Sequence, residues 1–172
     1  QHIKDKRFKL IDLDLSDVHS IHEAITKYKP SYFINFAAQS FVGASWSFPQ
    51  QTFDVNATAV LHILECLRKH APDCRLYNAG SSEEFGNIKY VPQDEKHPSE
   101  PRNPYAVSKC SARQFIKIYR ESFNLFAIQC WLFNHESPRR GIEFVTRKIT
   151  NGVAKIHLAY KNNKKPEPIT LG

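Results

Sequence analysis

The stretch Tyr32-Phe33-Ile34-Asn35-Phe36-Ala37-Ala38 decides the fold class of this 172-residue chain. It is a continuous apolar run of strand length, and such runs are typical of parallel strands that are covered on both faces. The run therefore predicts a buried strand. Its end opens into a predicted loop through Gln39, Ser40 and Gly43.

Strands and helices alternate around this run. The predicted strands are residues 8–15, 32–38, 75–79 and 125–132, and the predicted helices are about residues 17–28, 50–70, 104–122 and 145–160, the first capped by Ser16. This βαβαβαβα order predicts an α/β fold, a doubly wound parallel sheet with helices on both faces. Ligands of such sheets bind beyond the carboxyl ends of the strands. The Pro-rich and charged segment 85–102 is a predicted surface loop that borders this site.

The composition of the chain indicates which classes of ligand it can bind. The formal charge of +7 and the pI near 9.3 suit an anionic ligand. The basic residues are scattered, with one tract at 161–165, so we expect a phosphate-bearing small molecule and no nucleic acid. No apolar run is long enough for a membrane span. The four cysteines have no C-x-x-C spacing and no closely spaced His pattern, so we expect no metal site, no disulfide framework and a reduced, cytoplasmic compartment.

The segment Tyr105-Ala-Val-Ser-Lys109 lies on the third predicted helix, with Pro104 in its first turn. Residues four apart share one helix face, so the phenol and the ammonium are expected to point into one pocket. A nearby cation favours the phenolate and lowers a tyrosine pKa, which predicts a base near neutral pH. The alternative is a half-buried Tyr105 beside a solvated Lys109.

Two sets of residues resemble a known family. Ser81 at a strand end, Glu83 beside it and the Tyr105/Lys109 helix resemble the extended short-chain dehydrogenase/reductase family. Within that family, the run 133–150, FNHESPRRGIEFVTRKIT, resembles the signature of the GDP-mannose 4,6-dehydratases. The resemblance implies a Rossmann-like fold and a lyase that converts GDP-mannose to GDP-4-keto-6-deoxymannose with NADP as cofactor.

The resemblance also implies a role for each of four residues. Tyr105 removes the proton of the sugar C4 hydroxyl, and Ser81 hydrogen-bonds the same oxygen. Glu83 takes the C5 proton and assists the loss of water from C6, whereas Lys109 tunes Tyr105 and holds the nicotinamide ribose. Glu84 stands where the family usually has an apolar residue, which leaves open which of the two carboxylates faces the sugar.

Cofactor and substrate contacts are likewise implied by the resemblance. They are Asp14 and Leu15 at the adenine, Phe36, Ala37, Ala38, Gln39 and Ser40 along the cofactor, His135 and Arg140 at the nicotinamide and phosphate end, and Asn134 at the substrate pyrophosphate. Guanidinium groups suit phosphates, although Arg139 and Arg140 also suit a solvated charge pair or a subunit interface. The alternatives to this function are another sugar-nucleotide dehydratase or epimerase, and a noncatalytic ligand-binding or assembly domain.

The resemblance finally implies that the fold is incomplete at both ends. A Gly-rich turn for the dinucleotide pyrophosphate is expected before Gln1, and a substrate-binding portion is expected after Gly172. We therefore expect a partial dinucleotide-binding domain at residues 1–160 and a connector at 161–172. The family resemblance also implies a homo-oligomer, either a dimer or a tetramer.

Overall fold

The computed structural model describes residues 5–171 of the chain, so the outermost residues of the two predicted domains, 1–4 and 172, lie outside the described part. The described helices are α1 (Val18–Tyr28), α2 (Val42–Ser47), α3 (Pro49–Phe53), α4 (Ala59–His70), α5 (Pro104–Phe123) and α6 (Val145–Lys161). The strands are β1 (Tyr32–Asn35), β2 (Arg75–Ala79) and β3 (Ala127–Cys130). A π-helical segment spans Asp54–Thr58, and a 3₁₀ helix spans Ser82–Phe85.

The three strands form one parallel sheet in the order β1-β2-β3. Phe33 pairs with Leu76, and Leu76 pairs with Ala127, so these three side chains share one face of the sheet. The same face carries the hydrophobic core, to which α1, α4 and α5 contribute residues such as Ile21, Ile63 and Ile116. The predicted parallel α/β architecture is confirmed.

The opposite face of β1 is open among the described residues. Ile34 is 61% exposed, and Phe36, directly after the strand, is 66% exposed. The apolar character of the run 32–38 therefore reflects two different environments, because Phe33 packs against the core while its neighbours in sequence do not.

Two predictions near the start of the chain are wrong. Residues 8–14 form no strand, and Phe8, Leu10 and Ile11 are exposed. A strand needs a neighbour for its backbone hydrogen bonds, and none of the described strands pairs with this segment. Helix α1 is capped by Asp17, whose side chain accepts from the backbone N–H of His19, and not by Ser16.

The predicted helix over residues 50–70 is interrupted. The structure has α3, then the π-helical segment Asp54–Thr58, then α4. The predicted loop through Gly43 also differs, since residues 42–47 form the short helix α2. A single wider turn changes which side chains face inward, and here it buries Asn56.

The chain divides into two compact units, residues 1–133 and residues 134–172. The first contains the sheet and α1 to α5, and the second contains α6 and the segment that follows it. The domain boundary that the sequence predicts at residue 160 stays a prediction. No helix within residues 5–171 is both long enough and apolar enough to cross a membrane.

Candidate active site

Ser81 lies just beyond the carboxyl end of β2 and begins the 3₁₀ helix. Its Oγ accepts a hydrogen bond from the backbone N–H of Glu83, at 3.2 Å, as an N-cap does. The preceding residue must be glycine, because a Cβ on Gly80 would lie 2.4 Å from the carbonyl oxygen of Cys130. The close approach of the chain after β2 to the end of β3 thus fixes the backbone position from which the Ser81 side chain extends.

Tyr105 and Lys109 lie on the first turns of α5. Asn103 caps this helix through a 2.8 Å bond from the N–H of Ala106, and Pro104 occupies its first position. The Lys109 Nζ lies 5.9 Å from the centroid of the Tyr105 ring, and both residues are buried. The two side chains lie on one face of the helix, and the alternative of a solvated Lys109 is wrong because only 4% of that residue is exposed. That both point into a ligand pocket stays a prediction.

The Lys109 ammonium is held inside the protein. Its Nζ donates to the carbonyl oxygen of Ala79 at 2.8 Å, and only 4% of the residue is exposed. Burial lowers the pKa of Lys109 to about 8, while the negative charge of Glu84 acts in the opposite direction. The contacts of the described residues use one of its three donors, which leaves two for a ligand.

A row of buried amides crosses the sheet beneath this site. Asn35, Asn78 and Gln129 are paired across the three strands, and each passes a 2.7 Å hydrogen bond to the next. Gln129 then donates to the backbone oxygen of Lys109 at 2.9 Å and to Glu84 at 3.1 Å. The row therefore couples the carboxyl ends of all three strands to the helix that carries Lys109.

The two adjacent acids have different environments. Glu84 is fully buried, accepts from the N–H of Ser81 at 2.8 Å and forms an ion pair with Arg113. Arg113 in turn lies over the ring of Trp131, 3.7 Å from its centroid. Glu83 is exposed, and its Oε2 accepts from Asn103 at 3.0 Å. Of the two carboxylates, Glu83 is the one that a ligand can reach.

Glu83 opens onto a cleft of about 590 Å³. The cleft is lined by Trp46, Ser82, Glu83, Gly86, Ile88, Gln93, Arg102, Asn103 and Phe133. Several of these belong to the loop 85–102, which the sequence predicts to border the site. Sequence reasoning missed Trp46, Arg102, Asn103 and Phe133 as lining residues; the Asn-Pro pair at the start of α5 was a readable signal for Asn103 alone.

The segment after β1 is tied to the same helix. Asn56 bonds both the N–H and the carbonyl oxygen of Gln39, at 2.9 and 3.0 Å, and also donates to Ser108 Oγ at 3.1 Å. Ser108 lies between Tyr105 and Lys109 on α5. Among the residues predicted along a cofactor, Phe36, Ala37 and Ser40 are exposed, whereas Ala38 and Gln39 are half-buried.

Asp14 and Leu15, predicted at an adenine, have separate surroundings. Asp14 is exposed, and its carboxylate accepts from the N–H of Ser16 at 2.8 Å. Leu15 is 8% exposed and its side chain is part of the hydrophobic core. Only its backbone is therefore suited to a ligand contact.

Asn134, His135 and Arg140 belong to the second compact unit. Asn134 and His135 are exposed. Arg140 lies over the Phe144 ring at 3.5 Å and near Glu136, with Nε and Oε2 3.6 Å apart. The predicted ligand roles of these three residues stay predictions.

Comparison with known proteins identifies the family. The sequence model of the family described as GDP-mannose 4,6 dehydratase matches residues 1–166. The chain belongs to the GDP-mannose 4,6-dehydratase family. Similar family members include GDP-mannose 4,6 dehydratase 2 of Arabidopsis thaliana, 48% identical over 86% of this chain, and GDP-mannose 4,6-dehydratase of Vibrio cholerae, 42% identical over 90%. This chain spans 40% and 42% of the length of these two relatives.

Solved structures of similar fold bind nicotinamide cofactors. RMD from Pseudomonas aeruginosa, solved with NADPH, matches the chain with a TM-score of 0.77 and 23% sequence identity. The match covers 90% of this chain and 51% of the RMD chain. DesIV from Streptomyces venezuelae is a dTDP-glucose 4,6-dehydratase that was solved with NAD and TYD. It matches this chain with a TM-score of 0.80 and 21% sequence identity, and the match covers 89% of this chain and 47% of the DesIV chain. At these identities the likeness shows the Rossmann-type fold.

Proposed function

We propose that the protein converts GDP-mannose to GDP-4-keto-6-deoxymannose, with NADP as its cofactor. The observation that carries this proposal is the different environment of the two adjacent acids. Glu83 lines the cleft, whereas Glu84 is buried and is bonded to Arg113 and Gln129. The chain thus offers one accessible carboxylate, whose backbone bonds Ser81 and whose side chain bonds Asn103, the N-cap of the helix that carries Tyr105 and Lys109. A dehydratase needs such a carboxylate.

The residues fit a nicotinamide cofactor. Lys109 is a buried cation with two donors available among the described contacts, which suits the hydroxyls of a ribose. The carboxyl ends of β1 and β2, where such ligands bind in parallel sheets, are fixed by the amide row and by Asn56. When bound, the nicotinamide supplies the hydride acceptor for C4 and the hydride donor for C6.

The side chains of this chain perform the proton transfers. Tyr105 takes the proton of the C4 hydroxyl, and the nearby Lys109 charge favours the phenolate form of a tyrosine. Ser81 Oγ hydrogen-bonds the same sugar oxygen. The C4 ketone acidifies the C5 proton, which Glu83 removes and passes to the departing C6 hydroxyl, so that water leaves. When C6 is reduced, C5 takes up a proton that comes from solvent, which gives the 6-deoxy product. Asn103, bonded to Glu83, holds the carboxylate toward the cleft.

The experiment measures 4-keto-6-deoxy sugar formed from GDP-mannose by the protein that carries this sequence. dTDP-glucose and UDP-glucose serve as competing substrates. We expect turnover with GDP-mannose, faster with NADP than with NAD. Turnover of dTDP- or UDP-glucose alone would assign the protein to a different sugar-nucleotide activity.

Glu83→Gln separates this mechanism from a structural role of the loop. We expect it to lower product formation by about 10²- to 10⁴-fold, because one proton transfer is lost. We also expect it to abolish deuterium incorporation at C5 from heavy water. Glu95→Gln, an exposed acid of the same region, is the matched control and should retain activity. Unchanged turnover in Glu83→Gln would remove Glu83 from the mechanism.

Two further properties are proposed from family membership. We expect a homo-oligomer, either a dimer or a tetramer, and a cytoplasmic location. Light scattering on the purified protein measures the first, and a monomer at micromolar concentration would contradict it.

A further inference from the structure

Three side chains from two packed helices converge away from the proposed catalytic residues. Cys66 and His70 lie one turn apart on α4, and His22 reaches them from α1. The ring nitrogens and the Cys66 Sγ all lie within 4.8 Å of one another. The sequence predicted no metal site, yet Cys66-x-x-x-His70 already places two ligand types on one helix face.

The separation of the two histidine nitrogens is close to that of a tetrahedral metal site. The Nε2 atoms of His22 and His70 are 3.1 Å apart, with the two rings nearly perpendicular at 87°. With Zn–N bonds of about 2.0–2.1 Å, tetrahedral geometry places two nitrogens roughly 3.3–3.4 Å apart. The two histidine rings therefore accommodate an ion by moving a few tenths of an ångström. The Cys66 Sγ lies within 4.8 Å of their ring nitrogens, and it reaches the tetrahedral N–S separation of roughly 3.5 Å by moving up to roughly 1.3 Å closer.

The three candidate ligands extend from the core to the surface. Cys66 is buried and His70 is half-buried. A cation that binds Cys66 deprotonates its thiol, so binding releases a proton. His22 is exposed, so an ion can enter from solvent.

We propose that His22, Cys66 and His70 bind one zinc ion, with water as the fourth ligand. Mixed nitrogen and sulfur donors in this number are typical of zinc. The ion joins α1 to α4, and since neither helix carries a proposed catalytic residue, its role is to stabilise the fold.

The test is a titration of the chelator-treated protein with Co²⁺, followed by Zn²⁺. We expect one equivalent of Co²⁺ to produce visible bands of tetrahedral cobalt and a thiolate-to-cobalt charge-transfer band, and Zn²⁺ to abolish both. We also expect Zn²⁺ to raise the midpoint of thermal unfolding.

Variants decide whether these residues are the ligands. His22→Ala removes an exposed side chain, so the fold is retained. We expect it to weaken binding by at least about 100-fold, since loss of an outer partner alone costs about 10- to 100-fold. His19→Ala on α1 and His62→Ala on α4 are matched controls that should bind as the parent does.

Two results would overturn the proposal. One is the absence of a charge-transfer band in the parent protein. The other is equal cobalt affinity in His22→Ala and His19→Ala. Either result would reduce the cluster to a hydrogen-bonded histidine pair beside a core thiol. Cys66→Ser is expected to abolish the charge-transfer band. If that variant fails to fold, the comparison of His22→Ala with His19→Ala still tests the proposed site.

Discussion

At the scale of single residues, Glu83 and Glu84 show how much one position matters. Both are acids in the 3₁₀ helix after β2, but the turn directs one to the cleft and the other into the amide row. Glu84 accepts bonds from Ser81, Gln129 and Arg113, so its charge is compensated without reaching the cleft. A buried carboxylate with these partners positions its neighbours, and Glu83 is the acid of the two that a ligand can reach.

Glu84→Gln is expected to destabilise the protein by about 3–5 kcal/mol, because Arg113 then keeps a largely buried and unpaired charge. A second effect follows from Lys109. Glu84 raises the pKa of Lys109 toward its usual range, so losing the charge moves that pKa below about 8. The alkaline limb of the activity profile should therefore shift to lower pH. Urea unfolding and the pH dependence of kcat measure the two effects.

Glu95→Gln, on an exposed loop acid, is the control for both measurements. A Glu84→Gln protein with parental stability would show that the ion pair with Arg113 is dispensable. An unshifted alkaline limb would show that Lys109 does not control that limb.

At the scale of elements, the π-helical segment Asp54–Thr58 connects the end of β1 to α5. Its single wide turn points Asn56 inward, where the side chain bonds Gln39 on one side and Ser108 on the other. Without that turn, the segment 36–40 has no such link to the helix of Tyr105 and Lys109. A π-helical turn of this kind often marks a functional site.

Asn56→Ala is expected to lower the free energy of unfolding by about 1–3 kcal/mol, because the half-buried N–H and carbonyl oxygen of Gln39 lose their partner. The amide of Gln39 should then exchange with heavy water faster than in the parent protein. Asn87→Ala, at an exposed position, is the control. Unchanged exchange at Gln39 would mean that the segment is held by other contacts.

The sequence predicted the helices and the parallel sheet better than it predicted strand pairing and long-range side-chain contacts. Hydrophobic periodicity and capping signals placed α5 and α6 within one residue, and the apolar run 32–38 indicated the parallel sheet. Strand 8–15 was wrong because pairing depends on a neighbour that periodicity does not show. The roles of Glu83 and Glu84 required Arg113, which lies 29 residues further along the chain. Local patterns do not contain such pairings.

At the scale of the whole molecule, Glu65 links the two main core helices and makes stability depend on pH. Its carboxylate on α4 accepts from Arg68 at 2.9 Å and from Tyr119 on α5 at 2.8 Å, and it pairs with Lys69. These bonds, that from Arg68 foremost, lower the pKa of Glu65 to about 2 from its usual 4.5. The unfolded state then binds more protons between these values.

The resulting stability is fully present above about pH 4.5 and is lost as the pH falls through about 2. Since the Glu65 side chain is 32% exposed, solvent screens the pair and the contribution is about 1 kcal/mol. Glu65→Gln should lower the unfolding free energy at pH 7 by this amount and flatten its decline between pH 4.5 and 2, measured by urea unfolding at each pH. Glu121→Gln, an exposed acid on α5, should keep the parental slope. Parallel acid curves for parent and Glu65→Gln would place the acid sensitivity in other carboxylates.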